Sequence, residues 1–294
     1  MSIIDRSRRK RPGRKVYGEK YDSVSAWVDA LAKPNNFGGA YTGRSSERKG
    51  DARWAGTNTY PEALQLLKDG WADGLEKIKK TSVTLTEQII KVLEVPELQY
   101  DVTGQDLDIG RFVAGEPEDF VTVEPAEQET YPKVLHVVAN ISASAAVDAD
   151  TIMLKGAAIV ALVDALEMHG KRVIVDIVST ADGQNDAVEQ HQTWVRIKES
   201  DGPVQLANLV MLIAHPSTLR RLMFREMEMN DADNDWKGRF GAGHGYGSPG
   251  DIDEADAGDI YSGCMYGNWT NEEAEAWVLA ELAKQGIHVE GDTE

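Results

Sequence analysis

Asn140, Ser142 and Ser144 place one amide and two hydroxyls at alternate positions, directly after the apolar run Val134-Leu135-His136-Val137-Val138-Ala139. Side chains at alternate positions of one loop can converge on one point. Hard cations such as Mg²⁺ are held by oxygen ligands and keep several waters. These three residues are therefore the candidate metal ligands, with weakly bound Mg²⁺ as the only cofactor they suggest. The leading residue is neutral Asn, which removes a full charge from the strongest expected ligand. Asp148 and Asp150 follow closely, but they are expected to serve the start of the next helix, where negative charge is favoured. The competing use of the hydroxyls is to hydrogen-bond the loop itself.

Other chemistries fit less well. The stretch from Gly238 to Gly247 is glycine-rich but lacks Gly-Lys-Ser/Thr, and it neither follows a strand nor opens a helix as a nucleotide loop must. Its Phe240, His244 and Tyr246 are candidates for ordering against a protein partner. Asp251, Asp253, Asp256 and Asp259 fail the EF-hand pattern, because its sixth and twelfth positions hold Asp256 and Ser262. No two of the six histidines stand four apart, so there is no zincin helix. Ser142 and Ser144 lack a Gly-x-Ser-x-Gly elbow, and Cys264 has no base beside it in sequence. Arg221 and Arg225 stand four apart on an amphipathic stretch and are a second candidate partner-binding pair, suited to an acidic segment. No catalytic residue is assigned, and a non-enzymatic role is expected.

The elements that must position these residues are those of an α/β domain over residues 132–294. The run at 134–139 reads as a strand covered on both faces. A largely buried helix is expected from about 150 to 169, then a β-branched strand at 171–178 and an alternating edge strand at 193–198. Helices at 203–213 and 217–229 are divided at His215-Pro216. A Gly- and Asp-rich loop covers 230–259, a short strand 259–264, a helix begins at Asn271, and a last strand covers 286–289. Alternating strands and helices imply a mostly parallel, doubly wound sheet flanked by helices.

Residues 21–131 read as a mainly helical N-terminal elaboration. It holds helices at 23–32, from Thr59 toward Ile78, and at 84–93. A long loop covers 34–59, a strand 98–102, a short helix 106–114 and a turn 115–119. Residues 1–20 carry eight basic side chains against two acidic ones, a local +6, which leaves −24 on the rest of a chain of net charge −18. They read as a basic flexible arm. An acidic body repels nucleic acid, so contact with it is expected only through that arm. The arm lacks the apolar segment of a secretory signal, and no stretch is long enough to span a bilayer. With one cysteine no intrachain disulfide forms, and a cytoplasmic location is expected, with the virion as the alternative.

The strand end Asn140-Ile141-Ser142-Ala143-Ser144 resembles the Asp-x-Ser-x-Ser strand end of the von Willebrand factor A family. The buried helix that follows, the strand Arg172-Val173-Ile174-Val175-Asp176-Ile177-Val178-Ser179-Thr180 and the terminal helix before Gly286-Ile287-His288-Val289 are similar to that family too. The nearest type is the domain of the cobalt-chelatase accessory subunit and of partners of MoxR-type ATPases, which also occurs in bacteriophage proteins. The resemblance covers about residues 133–290. It implies a loop site that holds Mg²⁺ and recruits an acidic group from a protein partner. Here Asn replaces the leading Asp, and the nearest later strand end, Asp259-Ile260-Tyr261-Ser262-Gly263, offers Ser262 where a carboxylate is wanted. The expectation is a protein-interaction module with a degenerate metal site. The alternatives are a Mg²⁺-dependent adaptor of a MoxR-like AAA+ ATPase and a phage virion or assembly protein that uses its basic arm.

Overall fold

The computed structural model describes residues 15–33, 46–74, 76, 133–183, 189–202, 206–230 and 245–287, with the backbone of three short strands at 99–101, 106–107 and 120–122. The main sheet contains β1 (Lys15–Tyr21), β5 (Val134–Asn140), β6 (Arg172–Asp182), β7 (Glu189–Lys198) and β8 (Ile260–Ser262), in the order β1-β7-β6-β5-β8. The β1/β7, β6/β5 and β5/β8 pairs are parallel, and only β6/β7 is antiparallel. The protein is therefore a mixed α/β fold with a mostly parallel sheet flanked by helices. A separate antiparallel sheet joins β2 (Gln99–Asp101), β3 (Asp106–Leu107) and β4 (Phe120–Thr122) in the order β2-β4-β3. A helix was expected at 106–114; its first two residues are instead in β3, held by backbone pairing to β4 that local propensity does not reveal.

Side-chain alternation divides the main sheet into two unlike faces. Leu135, Val137 and Ala139 of β5 and Val173, Val175 and Ile177 of β6 join one core with the helices. The central helix of that core is α4 (Ala149–Met168), which is buried almost all round, as its apolar residues require. It packs against α5 (Leu206–Ala214) and α7 (Asn271–Lys284). Gly156 permits the approach to α5, because a Cβ there would lie 2.3 Å from the Ala214 Cα. α7 opens with a complete capping box between Thr270 and Glu273.

The opposite face carries a smaller cluster of Val138, Val178, Trp194 and Ile252, with Tyr261 packed on it. The irregular chain between Ser248 and Asp259 crosses this face. It bonds Asp182 at one end and His136 at the other. Gly258, at φ +67°, lies against β5, where a Cβ would sit 2.5 Å from the His136 carbonyl oxygen. Bulkier residues at this position would push the loop off the sheet.

The N-terminal region shares the main core. α1 (Val24–Leu31) inserts Trp27 and Leu31, the one-turn α2 (Ala52–Ala55) follows, and α3 (Tyr60–Asp69) inserts Tyr60, Ala63 and Leu67. Thr59 caps α3 as expected. The helix stops at Gly70, before the predicted end at Ile78, which lies outside the described residues. The expected basic arm is corrected in its last six residues, since residues 15–20 belong to an edge strand. Charged side chains suit such a position, because its outer margin meets solvent. It follows that β7, expected at the edge, is interior. The helix expected at 217–229 begins as a π-helical turn, Thr218–Met223, and continues as α6 (Phe224–Asn230). Residues 1–14, the helix expected at 84–93, the turn at 115–119, and His288 and Val289 of the expected last strand lie outside the described residues. Among the described residues no helix is long and apolar enough to cross a membrane.

Candidate functional site

β5 and β6 end together, and their C-terminal ends bring Asn140, Ser142 and Thr180 into one hydrogen-bonded cluster. Asn140 is fully buried. Its Nδ2 donates to the Gly250 carbonyl at 2.9 Å, to the Tyr261 hydroxyl at 2.9 Å and to Thr180 Oγ1 at 3.3 Å. Its Oδ1 accepts the Ser142 N–H at 3.0 Å, a local Asx turn. Ser142 Oγ accepts the Thr180 N–H at 2.6 Å, and Thr180 Oγ1 donates to the Gly250 carbonyl. Ser144 stands farther along and is half-buried. Its N–H donates to the Met265 carbonyl at 2.8 Å and its Oγ accepts the Ala146 N–H at 3.4 Å.

Lys155, at the end of the second turn of α4, lies behind this loop with 3% exposure. Its Nζ donates to the Asn140 carbonyl at 2.7 Å and to the Gly263 carbonyl, so one ammonium joins the ends of β5 and β8. Burial lowers its pKa to about 7, against the opposing pull of Cys264 and Asp251. Asp251 in turn accepts from the Tyr261 hydroxyl at 2.9 Å and from the Cys264 N–H at 3.0 Å. Burial and Asp251 push the Cys264 thiol up to about 11, which keeps it protonated at neutral pH.

These residues do not fit a Mg²⁺ site. The Asn140 amide oxygen is turned to a backbone N–H, and its nitrogen faces the three acceptors. No carboxylate belongs to the Asn140–Ser142–Thr180 cluster. The buried positive charge of Lys155, in its protonated form, stands immediately behind the loop, where a second cation would be repelled. Among the described residues no group of three His, Cys, Asp or Glu side chains is placed to hold a metal ion. Sequence spacing brought Asn140 and Ser142 together correctly. It missed Thr180, Lys155 and Tyr261, whose contributions depend on strand register and helix docking. The pairing of Asn140 with Val178 in β5/β6 is what sets Thr180 beside Ser142.

Beside this cluster opens a cleft of about 390 Å³, lined by Trp54, Ser142, Ser144, Thr180, Arg220, Phe224, Tyr246 and neighbouring residues. Open α/β sheets receive ligands at this edge. Tyr246 is half-buried and stacks on Phe224, with ring centroids 3.9 Å apart. Its hydroxyl donates to Glu228. Tyr246, predicted to meet a partner, is thus anchored within the chain while still forming a wall of the cleft. Phe240 and His244 lie outside the described residues.

Arg221 and Arg225 are corrected as a partner-binding pair. Both are buried, and their acidic and carbonyl partners belong to the same chain. Arg221 donates to the carbonyls of Ser46 at 3.2 Å, Gly50 at 2.6 Å and Thr57 at 3.0 Å, and also to that of Arg48. Arg225 pairs with Glu47 and lies over the Tyr60 ring. Glu228 accepts from the Ser46 N–H and hydroxyl. The helix therefore grips the 46–60 segment. Amphipathic spacing showed these charges on one stretch but not that the chain's own N-terminal region would cover them.

A separate ion cluster lies on the loop-covered face. His136 Nε2 is 2.8 Å from Asp176, and Arg196 joins Asp176 to Glu199. Desolvation would raise the Asp176 pKa, but hydrogen bonds from His136 and Arg196 hold it below the usual carboxylate range. Among the described residues no serine, threonine or cysteine side chain hydrogen-bonds the His136 ring. It thus lacks the nucleophile-base contact of a catalytic triad.

No curated protein and no solved structure matches this chain. Residues 5–288 match the family model described as domain of unknown function DUF7192, and the chain belongs to that family.

Proposed function

We propose that this chain is a non-enzymatic protein-interaction module, built on a von Willebrand A-like domain whose metal site is degenerate. The observation that carries the reading is the cleft at the ends of β5 and β6, walled by Trp54, Phe224 and Tyr246 beside Ser142 and Ser144. It lies at the ligand edge of an α/β sheet and offers shape, aromatic surface and hydroxyls. The polar side chains beneath it are committed to the protein's own backbone. The central strand, the buried helix after it and the parallel strand beyond support the von Willebrand A-like reading. Mg²⁺-dependent docking on a MoxR-like ATPase is the reading that the Asn140 hydrogen bonds disfavour. The partner is a protein, with an AAA+ ATPase or a phage structural protein as the classes that the resemblance offers.

The test is site-specific photo-crosslinking in the native host. A photoreactive residue at Ser144 is expected to capture a discrete protein partner. The same residue at Met168, which is 56% exposed at the far end of α4, is expected to capture none. Equal capture at both positions overturns the reading. So does a turnover activity that Ser142→Ala removes while the fold stays intact.

A further inference from the structure

Arg220 is 1% exposed and belongs to the lining of the sheet-edge cleft. Its guanidinium donates to the Trp54 carbonyl at 2.6 Å and to the Val147 carbonyl, and it stacks 4.4 Å from the Trp54 ring centroid. Those bonds engage two of the five N–H donors that an arginine carries. No carboxylate forms an ion pair with Arg220 among the described residues. Its neighbours on the same stretch differ, because Arg225 has Glu47 and Arg221 has a cage of carbonyls. A buried charge without a counter-ion is costly to keep. Burial accordingly pulls the Arg220 pKa down to about 10, against the opposing pull of Asp148.

We propose that Arg220 is the anchor of a metal-free carboxylate site, in which the cleft receives an Asp or Glu side chain of a partner polypeptide. This inference rests on the interaction reading above and names the chemistry of the partner's group. Among the described residues lining the cleft Arg220 is the one that is charged, so the site matches a single negative charge. A guanidinium fork fits a carboxylate in a bidentate manner. The Ser142 hydroxyl accepts from the Thr180 N–H, which leaves its own hydrogen available as a further donor. Trp54 and the Phe224–Tyr246 stack supply apolar walls that strengthen the ion pair by excluding water. A phosphate dianion fits less well, because it would bring a second charge toward Asp148 with no lysine or second arginine among the described residues of the lining.

The experiment uses the full chain in EDTA with ¹⁵N-labelled tryptophan. The Trp54 indole resonance is assigned by its loss in Trp54→Phe. N-acetyl-Phe-Glu-amide is expected to shift that resonance saturably, and N-acetyl-Phe-Gln-amide to bind at least about tenfold more weakly, as expected for loss of a charge-assisted hydrogen bond. Arg220→Gln is expected to remove the discrimination. The comparison of the two peptides on the unaltered chain decides the matter by itself, whether or not that variant folds. Equal binding of the two peptides overturns the proposal, as does binding that requires Mg²⁺ or a preference for inorganic phosphate. A partner captured at Ser144 while the two peptides bind alike leaves the interaction reading standing and removes this one. Discrimination between the peptides without any captured partner keeps Arg220 as a carboxylate anchor and removes its assignment to a partner polypeptide.

Discussion

At the end of β5 the buried polar groups are an amide, hydroxyls and one lysine, each bonded to backbone or to a neutral partner. Along the stretch Thr218–Asn230 they are one hydroxyl, three guanidiniums and two carboxylates, all buried. The first arrangement shapes a loop around one end of the sheet. The second holds a distant part of the chain, from Ser46 to Tyr60, against the core. Neutral hydrogen bonds suit the first task because they are directional and individually modest. Charged groups suit the second because each arginine reaches several carbonyls at once, although removal of one partner leaves the others buried and unsatisfied.

The comparison is broken most forcefully at Arg221. Its guanidinium satisfies carbonyls from four residues between Ser46 and Thr57, so Arg221→Ala is expected to destabilise the protein by about 3–5 kcal/mol. Urea unfolding measures the loss, and proteolytic cleavage within 46–58 should accelerate with it. A loss under about 1 kcal/mol would mean that the segment is held by the apolar contacts of α3 alone.

Asn140→Asp tests the other region. The substitution sets a carboxylate against the Gly250 carbonyl in place of a donor, and a loss of about 2–3 kcal/mol is expected. Mg²⁺ at millimolar concentration is not expected to restore it. Recovery of the unfolding midpoint in Mg²⁺ would instead establish a metal site there.

Lys155 sharpens the contrast through pH. Its pKa is near 7 in the folded chain, whereas the ordinary lysine value of 10.5 applies when unfolded. Between these values the unfolded state binds more protons, so this group makes stability rise with pH, by up to about 1.4 kcal/mol per unit. Lys155→Met is expected to flatten that slope in urea curves taken from about pH 7.5 to about pH 9.5. A slope unchanged by the substitution would assign it to another group.

The smallest effect is expected at Ser144→Ala. The Ser144 hydroxyl accepts only a 3.4 Å bond from the Ala146 N–H, so stability should change by less than about 0.5 kcal/mol. Ser142→Ala should cost more, about 1–2 kcal/mol, because the Thr180 N–H loses its acceptor. Equal effects of the two serines in thermal unfolding would show that the loop bears no such division.

Much of the local architecture was legible in the residues. The apolar run before Asn140, the all-round apolar helix that follows and the helix starts after Thr59 and at Asn271 all appear where their patterns place them. Other features were hidden. Lys15–Lys20 reads as part of a charged arm, because an edge strand tolerates the same residues as a solvated tail. The alternation of Val195 and Ile197 with Arg196 and Lys198 reads as an exposed edge. The strand is interior because β1 pairs along its other side, and its charges are accommodated because Arg196 meets Asp176 and Lys198 meets Glu167, pairings that no linear pattern contains.

Periodicity and capping within single segments determined the strands and helices around residue 140, since those signals depend on neighbours a few positions apart. The tertiary structure alone decided what the polar residues do. Whether an asparagine faces a cation or a carbonyl, and whether an arginine faces solvent or the chain's own loop, depends on which distant backbone arrives beside it. Burial then makes that choice binding, because a polar group removed from water must find its partner inside the fold.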